Sequence, residues 1–314
     1  LGTAGLSNNA VVPIFRDNAK TVPAEPASKV EEAYGFLETY LTKSKYLAAN
    51  HLTLADVSVV SYVSTLDLLV YPGLYQGLLS YSFSTSPGLK STRRKPLALA
   101  SDLYPVSRAV LMVVELIGLK TENKNVSTLA GEHLNPEFVA KNPLHTVPII
   151  EEGDFIIADS HAIITYLVSK YGGNKAATLY PSDLRVRATV DQRLYFDATF
   201  LFPRFQAVII PIVTDKVKTV PAEPASNIEE AYGFLETYLT KSKYLAADHL
   251  TLADVSAVSY LSSLNLLVPI VGDKYPKLKT WFENLQQQEW YKKANAPGLA
   301  MLGATIKEKL NSKL

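Results

Sequence analysis

The chain contains no cysteine, and that absence excludes disulfides, zinc–thiolate centres, a protein-thiol nucleophile and any CxxC redox pair. It also lacks an excess of charge: 31 Lys and Arg stand against 30 Asp and Glu, for a net charge of +1. A balance of that kind draws the whole molecule neither to nucleic acid nor to a membrane surface. Histidines number five, and no His, Asp and Glu spacing among them fits a metal site. No uncharged apolar run reaches the roughly 18 residues of a membrane-spanning helix. The opening ten residues hold neither a basic leader nor a long apolar core, so no signal peptide is expected there. The expectation is a soluble, cytoplasmic protein. Leu1 stands in place of an initiator Met, which leads to the further expectation that the true N-terminus lies upstream.

What is present is a sequence that repeats itself. Residues 17–70 return as 215–268, with about 45 of 54 positions identical. The run from Glu31 to Ala49 reappears unchanged from Glu229 to Ala247. A repeat array would show three or more drifting units with caps at its ends. Two copies, a wide gap and little drift read instead as a recent partial duplication or a joined gene model. The orphan copy reproduces two helices without their flanking partners and would leave apolar surface uncovered. Function is therefore read from the longer, self-consistent part, from about residue 95 onward.

A length of 314 residues and a hydrophobic share of 47% allow two domains and a further piece. Residues 71–94, rich in Gly, Pro and Ser, read as linker, and the basic cluster Lys90, Arg93, Arg94 and Lys95 as its solvated end. Beyond it, Pro96–Ala100 reads as a strand. A helix opens at Pro105 and carries an apolar stripe of Ala109, Val110, Val113, Leu116 and Ile117 to a stop near Gly118. A second strand fits 121–126, and a short helix follows Pro136. Val147–Ile150 and Phe155–Ile157 flank a tight hairpin, and a helix runs from Ser160 to Tyr171 before Gly172-Gly173. This βαβ-then-ββα order predicts a small mixed sheet with helices packed on it. Everything after Pro181 reads as helical. There Thr251 and Asp254 form a capping box before a helix buried on most sides.

With these pieces in place, residues 95–314 resemble a cytosolic glutathione S-transferase of the insect epsilon class, over essentially a full family length. The resemblance rests on five segments at family spacing: Asp102–Val110, Leu129–Phe138, Asn142–Pro148, Asp159–Ile163 and the capped helix at Thr251–Asp254. It implies a fold class of α/β plus all-α: a thioredoxin-like domain at 95–173 and an all-helical domain at 180–314. These are preceded by the orphan fragment at 1–70 and the linker at 71–94. It also implies glutathione as co-substrate, no metal, and a homodimer that conjugates the glutathione thiolate to small hydrophobic electrophiles. Nucleic acid and membrane are not expected partners.

By the same resemblance, a cis Pro148 turns the Val147 backbone toward the cysteinyl amides of glutathione, next to Thr146. Asp159 and Ser160 grip the γ-glutamyl end, where Asp159 meets the ammonium and the helix opening favours the carboxylate. His133 and His145 donate to the glycine carboxylate, and His161 borders the same region. Leu103, Pro105, Phe200, Pro203, Arg204, Ala207 and Pro211 are the expected electrophile wall, with Phe200 and Arg204 one helical turn apart.

One position departs from the pattern. Counting back from Arg108, Tyr104 stands where the epsilon class has the Ser that donates to the thiolate. A Tyr hydroxyl lies about 6.5 Å from its Cα and a Ser hydroxyl about 2.4 Å, so the donor cannot stay in place. Tyr104 as donor, Ser107 as a displaced substitute, or no placed hydroxyl all remain open on the sequence. So does a rival reading as a non-catalytic protein that binds glutathione or hydrophobic ligands. Leu144 also replaces the usual Gln before His145.

Overall fold

The computed structural model describes residues 24–42, 47–49, 53–55, 58–59 and 95–310. The chain divides into two compact units, Leu1–Lys90 and Ser91–Leu314. In the first unit, helix α1 (Ala24–Leu41) buries Val30 and Tyr34. The expected linker over 71–94 and most of the second repeated helix of this unit lie outside the described residues.

The second unit opens with four strands: β1 (Leu97–Ala100), β2 (Glu122–Asn125), β3 (Ile149–Glu152) and β4 (Phe155–Ala158), in the order β2-β1-β3-β4. β1 pairs parallel with β2 and antiparallel with β3, and β3 pairs antiparallel with β4. The parallel pair needs a crossover, which α2 (Pro105–Ile117) supplies. Pro105 takes the first helical position, where no N–H is missed. Gly118 ends α2 at φ +72°, and the Leu119 N–H returns to the Val114 carbonyl at 3.0 Å. Between β3 and β4 the two-residue turn places Gly153 at φ +67°, a conformation that glycine takes without steric cost.

Side chains alternate across the sheet, and the two faces bury different partners. Ala98 and Ile150 join Val110, Val113, Ile163 and Leu167 of the helices α2 and α4 (Ser160–Tyr171). Leu99 and Ile149 turn the other way, onto Val126 and onto Phe138 of α3 (Pro136–Lys141). β2, Glu-Asn-Lys-Asn, is exposed throughout, a composition suited to an outer strand because its charge and polarity discourage further pairing.

After the short α5 (Ala176–Leu179) come α6 (Leu184–Phe196), a π-helical turn at Asp197–Leu201, α7 (Phe202–Val213), α8 (Ala222–Leu239), α9 (Leu252–Asn265), α10 (Pro276–Gln286), α11 (Glu289–Ala294) and α12 (Ala296–Leu310). α9 is the axis of this domain. Every residue from Leu252 to Leu264 is buried, and the helix touches α2, α6, α7, α10 and α12. Its small residues permit that close approach. Their hydroxyls do not go unpaired: Ser259 donates to the Ser256 carbonyl at 2.7 Å and Ser262 to the Val258 carbonyl at 2.5 Å. At its start, Asp254 accepts the Thr251 N–H and hydroxyl at 2.9 Å each, the Leu245 N–H at 2.8 Å and the Trp281 indole N–H at 2.9 Å.

The continuous helical stretch Leu184–Val213 is long and apolar enough to cross a membrane by length and composition, holding an 18-residue window with a mean hydropathy of 1.4. Asp197 and Arg204 interrupt that window, so it is not an uncharged run. In the fold its apolar side, from Val190 and Leu194 to Phe205, Val208 and Ile212, is packed in the core.

Candidate functional site

Strand register gathers the candidate residues at one end of the sheet. Leu99 of β1 pairs with Ile149, the first residue of β3, and Ile149 pairs with Ala158, the last residue of β4. The turn carrying Tyr104 leaves β1, the segment Thr146–Pro148 enters β3, and Asp159 leaves β4. All three therefore meet at the same edge. The Val126 N–H bonds to the Ala100 carbonyl at 2.8 Å and brings the loop after β2 to this end as well.

Tyr104 is the N-cap residue of α2, in extended conformation, and does not cap the helix with its side chain. Its ring is half-buried, and its hydroxyl accepts a hydrogen bond from the Thr128 hydroxyl at 2.7 Å. Ser107 is placed otherwise. It is fully buried, and its Oγ accepts the Ser101 N–H at 3.1 Å, so it braces the turn and is sealed from a ligand. The displaced-Ser expectation fails on that burial: three residues into α2, the side chain faces the end of β1.

The segment before β3 is built by Asn142, which is buried. Its Nδ2 donates to the Thr146 carbonyl at 2.8 Å and hydroxyl at 3.1 Å, and its Oδ1 accepts the Leu144 N–H at 3.2 Å. The loop closes so tightly that His145 sits at φ +45°, and the Val147–Pro148 bond is cis. His133, on a short 3-10 turn (Glu132–Leu134), lies with its ring centroid 6.3 Å from that of His145. Its Nδ1 is buried with no hydrogen-bond partner, the condition of a polar atom prepared for a ligand.

At the third segment Asp159 takes φ +75°, ψ +124°, a conformation that costs a non-glycine residue about 1–3 kcal/mol. The strain is offset by capping: Asp159 Oδ1 accepts the N–H groups of His161 at 2.9 Å and Ala162 at 3.1 Å. Desolvation pushes its carboxyl up, but hydrogen bonds from His161 and the helix opening prevail and hold it below its ordinary range. Ser160 follows as the first, buried residue of α4.

His161 corrects the sequence reading. Its Nε2 lies 3.0 Å from Asp197 Oδ2 and its Nδ1 3.5 Å from Asp159 Oδ1, so neither ring nitrogen is left for glutathione. Burial pulls the imidazole down, yet the two carboxylates overrule it and push it up to about 10. Asp197, on the π turn, is 1% exposed, and Ser256 of α9 donates to the same Oδ2. His161 thus ties the start of α4 to the helical domain and holds Asp159 in place.

The expected electrophile wall is only partly assembled. Phe200, Pro203 and Ala207 form an exposed stripe on the π turn and α7, with Pro211 half-buried beyond it. Leu103 is half-buried and Pro105 buried at the start of α2. Phe200 and Arg204 do meet, with the guanidinium 4.9 Å from the ring centroid, but both are drawn to α8. Arg204 donates to the Asn227 carbonyl at 2.7 Å and to Glu230 at 2.6 Å, and Phe200 stacks on Phe196 at 5.1 Å and packs edge-on against Phe234 at 6.1 Å.

Comparison with known proteins identifies the family. A family model described as the N-terminal domain of glutathione S-transferase matches residues 101–175, and one described as its C-terminal domain matches residues 4–71 and 193–289. Glutathione S-transferase 1 of Manduca sexta is 41% identical over 212 residues, covering 67% of this chain and 96% of the relative. This chain belongs to the glutathione S-transferase family. An epsilon-class glutathione S-transferase structure from the housefly, Musca domestica, is 42% identical with a TM-score of 0.66, covering 68% of this chain and 98% of that one. A glutathione transferase homologue from Drosophila mojavensis, solved with bound glutathione, is 40% identical with a TM-score of 0.66, over 68% and 97% of the two chains.

The matched N-terminal glutathione S-transferase domain contains every candidate from Tyr104 to His161, and the matched C-terminal domain contains Asp197, Phe200 and Arg204. Sequence reasoning missed Thr128, Asn142, Asp197 and Arg108 as parts of this site. Arg108 and Asn142 did lie in segments that carry the resemblance, Asp102–Val110 and Asn142–Pro148, whereas nothing in the sequence marked Thr128 or Asp197. Among the described residues no group of His, Asp and Glu is arranged to hold a metal ion.

Proposed function

We propose that this chain is a transferase that conjugates the thiolate of glutathione to small hydrophobic electrophiles. The observation that carries the reading is the convergence of Tyr104, Val147-Pro148 and Asp159-Ser160 at one end of a thioredoxin-like sheet. An extended tripeptide pairs there with the Val147 backbone beside Thr146. Its ammonium meets Asp159, its γ-glutamyl carboxylate meets Ser160 and the opening of α4, and its glycine carboxylate meets His133 and His145. Thiols are mostly protonated at neutral pH, so the reaction needs a donor that favours the anion. Tyr104 fills that role: its oxygen already accepts from Thr128, which leaves its own proton to give and strengthens it as a donor.

The apolar stripe of Phe200, Pro203, Ala207 and Pro211 with Leu103 and Pro105 receives the electrophile. Exposed Phe155 and Ile156 on β4, and Ile210 and Phe234 on the helical domain, are surfaces that a second copy covers in a homodimer. The protein is soluble and cytoplasmic, and residues 1–94, which include the partial copy of the helical domain at 1–70, carry no activity of their own. The test is conjugation of glutathione to chloro-dinitrobenzene by the full chain beside Asp159→Ala. Saturable turnover is expected, with the KM for glutathione raised about tenfold in the variant by loss of a charge-assisted bond. No turnover by the parent, or an unchanged KM in the variant, contradicts the reading.

A further inference from the structure

Arg108 is fully buried, yet each of its hydrogen bonds among the described residues goes to a neutral group, and the Asp102 carboxylate acts on it only through its field. Its Nε donates to Asn295 Oδ1 at 2.8 Å, at the joint between α11 and α12. Its Nη2 reaches the Ser263 hydroxyl at 2.5 Å and the Ser259 carbonyl at 3.3 Å, both on α9. Its Nη1 grips the carbonyls of Leu103 at 2.8 Å and Asp102 at 3.2 Å, the two residues that precede Tyr104. Asn295 is itself fully buried and fixed by its Nδ2 bond to the Ser262 hydroxyl at 3.1 Å. The same turn is pressed from outside: a Cβ on Gly298 of α12 would stand 2.1 Å from the Asp102 carbonyl oxygen. The turn before Tyr104 is thus held between a guanidinium and the backbone of the last helix.

Stability alone does not call for such a residue. Burying a cation costs several kcal/mol, and an apolar side chain of similar volume is often as good or better. Burial draws the guanidinium down to about 10, which leaves it charged at neutral pH. A positive charge with no carboxylate bonded to it, at the base of the Tyr104 turn, favours an anion nearby, and the two carbonyl bonds fix where the Tyr104 side chain starts from.

We propose that Arg108 is a positioning residue for thiol activation: anchored by Asn295 and Ser263, it sets the turn that aims Tyr104, so that the end of the helical domain controls the acidity of the bound thiol. The inference rests on the transferase reading above and names a control element of that same site.

The test follows the ultraviolet absorbance of the bound glutathione thiolate against pH, together with kcat and KM, in the full chain. Arg108→Lys removes the planar fork, and Asn295→Ala releases its anchor while keeping the cation. Lys293→Ala is the control: it cuts the exposed Lys293–Glu115 ion pair, 2.7 Å long, between α11 and α2 without touching Arg108. Arg108→Lys is expected to raise the thiol pKa by about one unit, moving the kcat–pH profile up by the same amount and costing up to about tenfold in kcat on its acid limb, with the KM for glutathione held. Asn295→Ala is expected to raise it by about half a unit, and Lys293→Ala not at all. If Arg108→Lys fails to fold, Asn295→Ala against Lys293→Ala decides alone. Unmoved pH profiles in the folded variants overturn the inference, and so does an equal shift in Lys293→Ala. A parent chain with no turnover sinks the transferase reading instead, whereas an active parent with unshifted variants sinks this inference only.

Discussion

Helices α1 and α8 share nearly one sequence, but the repeat does not extend to the helices that dock α8. Both run for 18 residues, Ala24–Leu41 and Ala222–Leu239, and both close with the same local bonds. Thr39 donates to the Gly35 carbonyl at 2.9 Å and Thr42 to the Thr39 carbonyl at 2.7 Å, just as Thr237 donates to Gly233 and Thr240 to Thr237 at the same distances. The long-range bonds of α8 come from elsewhere. Arg204 of α7 binds Glu230 at 2.6 Å, the N–H groups of Lys277 and Leu278 in α10 bind Glu236 at 3.1 and 2.7 Å, and Tyr232 donates to the Val268 carbonyl at 2.9 Å. The repeat begins at Asp17 and ends at Val70, so it carries no counterpart of α7 or α10. Helix formation is local and is repeated with the sequence, whereas the bonds that dock α8 come from α7 and α10, segments that the repeat does not include.

Substitutions at matched positions break that comparison most severely at the capping carboxylate. Asp254→Ala removes the acceptor of four hydrogen bonds in a buried network and is expected to lower stability by about 3 kcal/mol. Asp56→Ala, the same change in the copy, should leave that transition within about 0.5 kcal/mol. Chemical denaturation of the two variants checks both.

The His161 clamp sharpens the comparison, since Ser58 repeats Ser256 while nothing in the copy repeats Asp197. A pKa raised to about 10 in the fold, above an unfolded value of about 6.5, stabilises fully below pH 6.5 and is lost as pH rises through 10. The stability of the parent should therefore fall by a few kcal/mol relative to His161→Gln between pH 7 and pH 10. Parallel stability–pH curves for the two proteins would remove the clamp from the account.

Smaller effects come next. Tyr232→Phe should cost about 1–1.5 kcal/mol for its buried bond to Val268, read from the urea midpoint. Glu236→Ala, which uncaps α10, should cost about 1 kcal/mol, and Glu38→Ala much less.

Much of this was legible in the chain. Pro105, Gly118, Gly153 and Gly173 mark boundaries because each has a backbone requirement that few residues meet. The Thr251–Asp254 spacing announced the cap of α9. Asp159-Ser160, Val147-Pro148, His133 and His145 stood out because their motifs are contiguous. Side-chain commitments across long separations were not legible. His161 and Asp197 are 36 positions apart on two helices, and no periodicity relates them. Ser107 faces inward because the end of β1 lies beneath it, and Arg204 leans on α8 because Glu230 is there. Tyr104 and Thr128 meet only after β2 has paired with β1.

The most direct test of the central claim is the steady-state rate of glutathione conjugation to chloro-dinitrobenzene by the full chain beside Tyr104→Phe, which keeps the ring and removes the donor. The account predicts a fall in kcat of about tenfold or more with glutathione affinity retained, as for an interaction made mainly with the developing thiolate. Equal rates in the two proteins would show that the Tyr104 hydroxyl is not the activating group, and the site as built here would be wrong at its centre.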